Sequence, residues 1–256
     1  MRKWVVWILG VIVLVFGLLV WGYTSLGIYV PRVHVVHLET AGGPVPIKVV
    51  FLDPRSAYIE VGHDGDDSRM LSGPDGDFRI HDVQWSPFEF EIEFPRDQAT
   101  LTMTTIEAED GTSSVEGVLA YSDDERVIEE IPARSMRVVN QNWFDLADTD
   151  VPTSTDRNIN GNWVFKSSLG SEVARIRLDA YTPKNFEMAQ AEAEVLTFLS
   201  EHRHFVGVIT SNRILLASFD NAYPALIDAT IQDDGTLNGD LWVGDRLHES
   251  FVGTRE

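Results

Sequence analysis

Between residues 87 and 94 the chain alternates strictly, with Phe88, Phe90, Ile92 and Phe94 on one side and Glu89, Glu91 and Glu93 on the other. A period of two puts the aromatics on one face of a half-buried antiparallel strand; a helix would scatter them around its axis. Shorter runs of the same kind cover residues 45–52, 58–61, 101–106, 115–121 and 136–139. Turn pairs punctuate the chain, among them Asp64-Gly65, Asp75-Gly76, Asp110-Gly111, Asn160-Gly161, Asp234-Gly235 and Asn238-Gly239. Such pairs adopt positive φ at little cost, and their recurrence between short apolar runs predicts hairpins.

A second series of strands is predicted over residues 163–165, 173–180, 205–209, 214–219, 225–231, 237–243 and 248–252. Residues 142–160 separate the two series and are polar, rich in Asp, Thr and Asn, with Pro152; they read as a linker or a long loop between sheets. Residues 185–204 leave two readings open. They are rich in Glu and Ala, and Met188, Glu192, Val195 and Leu199 fall near one helical face, which predicts a helix over 186–193. A pair of strands is the other reading, because tertiary pairing overrides a weak intrinsic propensity.

Ahead of both series, residues 4–21 carry no charge and consist of Gly, Trp, Val, Ile, Leu and Phe. As a helix this run would span about 27 Å, which suits a bilayer core. Trp4, Trp7, Trp21 and Tyr23 sit towards its ends, and Arg2 and Lys3 precede it, so one N-in, C-out span is expected. The run is longer than a signal-peptide core and offers only Ser25-Leu26-Gly27 as a poor cleavage site, which favours a retained anchor. The amino terminus is thus expected to be cytoplasmic and the bulk of the chain exported.

The 256 residues hold 40 Asp and Glu against 20 Lys and Arg, a formal net charge of -20. A surface this negative repels phosphate backbones, so nucleic acid is not an expected partner. There is no cysteine. Disulfides, thiol redox chemistry, thiolate metal sites and Cys nucleophiles are therefore excluded for this sequence.

The second series also carries a likeness. Gly161-Asn162-Trp163-Val164-Phe165 opens it, residues 195–200 lead to His204-Phe205-Val206-Gly207-Val208, residues 215–222 follow, and residues 233–242 and 248–251 close it. This order resembles the β-rich region that precedes the thioredoxin domain in membrane-anchored bacterial TlpA-type thiol-disulfide reductases. Ala41-Gly42-Gly43-Pro44-Val45-Pro46-Ile47 is similar to that region's opening; Phe94-Pro95, Leu101 and Gly117 fit its later strands, and the likeness spans nearly all of residues 34–256. Two departures matter: Asn221 stands where the relatives usually keep Gly, and the Cys-x-x-Cys pair has no counterpart. The resemblance implies a thioredoxin-like envelope partner but no reductase activity in this chain.

Enzyme templates are missing: no Gly-x-Ser-x-Gly elbow, His-Glu-x-x-His helix, phosphate loop or dinucleotide fingerprint occurs. His202 and His204 would share a strand face, yet two histidines without a third spaced ligand make a weak metal signal. Carboxylate pairs such as Asp64 with Asp66 and Asp67, or Asp148 with Asp150, are expected by chance among 40 acids. No metal or cofactor is expected. Trp163, Phe165, Phe205, Phe219 and Trp242 lie on predicted strands, either as barrel core or as the wall of an apolar pocket, and Asp220 and His248 are further ligand-binding candidates.

The expected fold is all-β: two antiparallel lobes after one N-terminal transmembrane helix, the second a lipocalin-like barrel or curved sheet. The expected divisions are a membrane anchor at 1–30, a first lobe at 31–140, a linker at 141–160 and a second lobe at 161–256. The expected function is a membrane-tethered binding or scaffolding domain near envelope thiol-redox or assembly proteins, without redox activity. A carrier of a small apolar ligand is the alternative, and an acid-pair hydrolase the third reading.

Overall fold

The computed structural model describes residues 32–53, 55–61, 81–85, 89–95, 98–107, 113–123, 126–136, 159–181, 190–197, 204–210, 212–220 and 223–256. The first barrel comprises β1 (Arg32–Thr40), β2 (Gly43–Asp53), β3 (Ser56–Val61), β4 (His81–Trp85), β5 (Glu89–Phe94), β6 (Ala99–Glu107), β7 (Ser113–Asp123) and β8 (Arg126–Met136). The second comprises β9 (Gly161–Ser167), β10 (Glu172–Tyr181), β11 (Gln190–Thr197), β12 (His204–Ile209), β13 (Arg213–Asp220), β14 (Tyr223–Ile231), β15 (Leu237–Val243) and β16 (Arg246–Arg255). In each, every strand is hydrogen-bonded to its chain neighbour and the last closes on the first, which leaves no free edge. Among the described residues the all-β expectation holds, and both lobes are closed eight-stranded barrels. The expected transmembrane helix lies outside the described residues; among those described, no helix is long and apolar enough to cross a membrane.

Alternation builds both interiors. In β5 the buried positions are Phe90, Ile92 and Phe94, with Glu93 exposed between the last two. Leu101 and Met103 of β6, Leu119 of β7 and Ile131 of β8 continue this inner wall in register. In the second barrel Trp163, Phe165, Ile176, Leu178, Phe205, Ile214, Leu216, Ile227, Leu241 and Phe251 form one core cluster. Ile159, just ahead of β9, belongs to it, and its carbonyl accepts a 2.8 Å hydrogen bond from the buried Trp163 Nε1.

Strands β1 and β4 and most of β8 depart from the sequence reading, and β11 decides between its two alternatives. Of the two readings left open for 185–204, the pair of strands holds where the chain is described: Gln190–Thr197 is β11, paired with β12, and the helix over 186–193 does not form there; residues 182–189 and 198–203 lie outside. Ala191 and Ala193 turn inward beside Gly207 and Phe205 of β12, while Glu192 and Glu194 pair with Asp179 and Arg177 of β10. Pairing on both sides outweighs the helix propensity of an Ala-Glu repeat. The strand expected over 136–139 is instead the end of β8, which begins ten residues earlier; 137–139 lie outside the described residues. Strands β1 and β4 were not anticipated.

The two barrels belong to one compact unit, with β13 against β2 and β3, and β14 against β2. This contact explains an anomaly in the second barrel's outer wall. Leu215, Ala217 and Leu226 face away from its core, yet none is more than 5% exposed.

Candidate functional site

The sequence-derived residues separate into three places. Trp163, Phe165 and Phe205 lie in the second barrel's core, each no more than 2% exposed. Phe165 stacks on Phe251 with ring centroids 4.0 Å apart and planes 9° from parallel, so the aromatics pack on one another. Phe219 and Trp242 are not in that interior; they lie half-buried on the outer wall where the barrels meet. The five aromatics therefore do not line one common interior. The physical cause is the odd-even parity of β13 and β15, which turns Leu216 and Leu241 inward and Phe219 and Trp242 outward. His248 is exposed on β16, and so is His204 at the start of β12. Asp220 ends β13, but its side chain lies outside the described residues, as do His202 and the acid pairs at 64–67 and 148–150.

The seam between the barrels adds Tyr121, Glu129, Tyr223, Gly244 and Asp245, which the sequence reading did not single out. Barrel one contributes a rim. Phe94 at the end of β5 meets Phe219 edge-on, with centroids 5.8 Å apart. Tyr121 of β7 packs against Tyr223 of β14 at 4.8 Å. The Tyr223 hydroxyl donates to Glu129 of β8 at 2.8 Å, and the Asp245 backbone N–H donates to the same carboxylate at 3.4 Å. In return, the Asp245 carboxylate accepts the Ala41 N–H at 2.6 Å. Burial, reinforced by the hydrogen bond and the negative charge of Glu129 and opposed by Arg246, pushes the Tyr223 hydroxyl up to about 12.

Two glycines make this approach close. A Cβ on Gly42, in the β1–β2 turn, would lie 2.2 Å from Cγ of Trp242, so the indole sits directly on the turn backbone. Gly244 adopts φ +58 in the turn before β16, and a Cβ there would come within 2.9 Å of Tyr223 and Glu129. Sequence alone marks Gly42 and Trp242 as residues of interest but gives no sign that they touch.

Among the described residues, no three His, Cys, Asp or Glu side chains gather as a metal site. Among the described residues two carboxyls are displaced, and both move downward. Glu172 is lowered chiefly by its hydrogen bond to Arg175, and Asp234 by accepting from the Thr236 backbone and hydroxyl. A general acid in a carboxylate dyad needs the opposite displacement. The outer wall carries cross-strand ion pairs instead, such as Arg213 with both Asp228 oxygens at 2.7 Å and Arg177 with Glu194 at 2.5 Å.

Compared with known proteins, the chain matches no family model, no curated protein and no solved structure.

Proposed function

We propose that this protein is a membrane-tethered, exported binding or scaffolding module that works beside a thioredoxin-like envelope protein and has no redox activity of its own. The observation that carries the reading is how the large aromatics are used. Trp163, Phe165, Phe205 and Phe251 fill the second barrel, while Phe219, Tyr223 and Trp242 join it to the first. Recognition is thereby left to the outer walls. The absence of cysteine removes electron transfer through sulfur, and the uncharged run at 4–21 behind Arg2 and Lys3 supports tethering at the bacterial inner membrane.

The test is cross-linking in cells, followed by capture of the intact chain in detergent. Enrichment of a thioredoxin-fold envelope protein is expected. Repeated capture with no such partner would overturn the partnership. Protease added to spheroplasts should digest the barrels, and full protection would refute export.

A small-ligand carrier is the second reading. An eight-stranded up-and-down barrel is the size that encloses one small molecule, and the Gly161-x-Trp163 opening supports a lipocalin-like description of the second barrel. Native mass spectrometry of protein released gently from membranes separates the readings. The scaffold predicts the bare polypeptide mass, and the carrier a stoichiometric adduct.

A further inference from the structure

We propose that the seam is a lock: three separate contacts seat the rim of the first barrel on the second and hold the pair as one rigid body, independently of the linker. The contacts come from different sectors of the rim. Ala41 and Gly42 follow β1, Phe94 ends β5 on the far side of the eight-strand ring, and Tyr121 and Glu129 belong to β7 and β8. Three points spread around a ring suppress tilt in every direction, whereas contacts on one side would leave a hinge.

The chemistry is directional as well as adhesive. Apolar contact alone permits sliding, because burial has no preferred angle. Hydrogen bonds weaken steeply off axis, and here they run both ways: Asp245 gives its N–H to Glu129 of the first barrel and takes the Ala41 N–H of the same barrel. Trp242 on the bare backbone of Gly42, and Gly244 against Tyr223 and Glu129, leave no room for an alternative seating. Leu215, Ala217 and Leu226, buried on the outer wall, would be uncovered if the barrels parted.

The absence of cysteine makes the test clean, since introduced thiols are the sole labelling sites. Thr104→Cys on β6 and Asn238→Cys on β15 are both exposed and lie in different barrels. Spin labels at these positions in the full chain should give one narrow distance distribution. Adding Glu129→Ala, Tyr223→Ala and Asp245→Ala should broaden it about twofold while the β-sheet circular dichroism is kept. A broad or multimodal distribution in the parent, or an equally narrow one in the triple variant, would overturn the lock. A second arm covers a variant that fails to fold: a protease site is placed within residues 144–150 of the chain with an unaltered seam. After cleavage the two halves should co-elute, and their separation would overturn the proposal.

Discussion

Gly42 shows how one missing carbon atom decides a contact. Its turn sits under the Trp242 ring so closely that Gly42→Ala must displace the indole or the strand end. Overpacking of this kind costs about 1–3 kcal/mol. Denaturant unfolding should therefore show a lower midpoint for Gly42→Ala, and a much smaller loss when Trp242→Ala is already present; equal losses in both backgrounds would mean that the ring is not the cause. Tyr223 gives a second prediction at this scale. Its hydroxyl stays neutral up to about 12 in the folded protein, against about 10 in an unfolded chain. The folded state thus retains a proton that the unfolded state has lost, so the stability the neutral hydroxyl supports is fully present below pH 10 and falls as pH rises towards 12. Absorbance at 295 nm should show one late-titrating tyrosine that Tyr223→Phe removes. Little of this was legible in the sequence. Residues 214–219 are apolar on both faces, so alternation marks a strand but cannot say that Leu216 points inward and Phe219 outward.

At the level of elements, legibility followed the cleanness of the two-residue period. β5, with phenylalanines facing in and glutamates facing out, was plain in advance, and most of β9–β16 was bounded by Gly and Asn turns. β8 was hidden. It carries Pro132, places Glu129 on the same parity as Ile131 and Ala133, and leaves Ile128 exposed, so neither face reads as wholly apolar. β1 was hidden for the opposite reason: Val35, Val36, His37 and Leu38 are all buried, which erases alternation. β11 imitates a helix because Ala and Glu are good helix formers as well as a small-inside, charged-outside strand pattern. The closure of the second barrel offers a test. Trp163 on β9 ties Ile159 to the core through its indole N–H. Trp163→Phe keeps a ring but removes that donor, leaving a carbonyl short of its partner at a cost of about 1–3 kcal/mol. A lowered unfolding midpoint is expected, and an unchanged one would show that the hydrogen bond contributes nothing net.

For the molecule as a whole, the decisive quantity is charge. Forty acidic side chains against twenty basic ones leave the surface repelling itself, and this opposes compactness. Ion pairs offset only part of it. Arg213 with Asp228 and Arg177 with Glu194 are partly exposed pairs, and such pairs contribute about 0–1 kcal/mol each. Salt weakens both effects, but the repulsion acts among many more charges than the pairs do. The seam is also less exposed to screening, since Glu129 and Tyr223 are half-buried and their contact is a short hydrogen bond. Raising sodium chloride shrinks the screening length from about 30 Å at 0.01 M to about 8 Å at 0.15 M. The melting temperature of the chain in neutral detergent should therefore climb over that interval and then level off. A melting temperature that falls with salt would mean that the ion pairs outweigh the excess of carboxylates. Because one locked unit must melt as one, the same scans should show a single transition at every salt concentration, and two transitions that separate at low salt would place the charge repulsion across the seam itself.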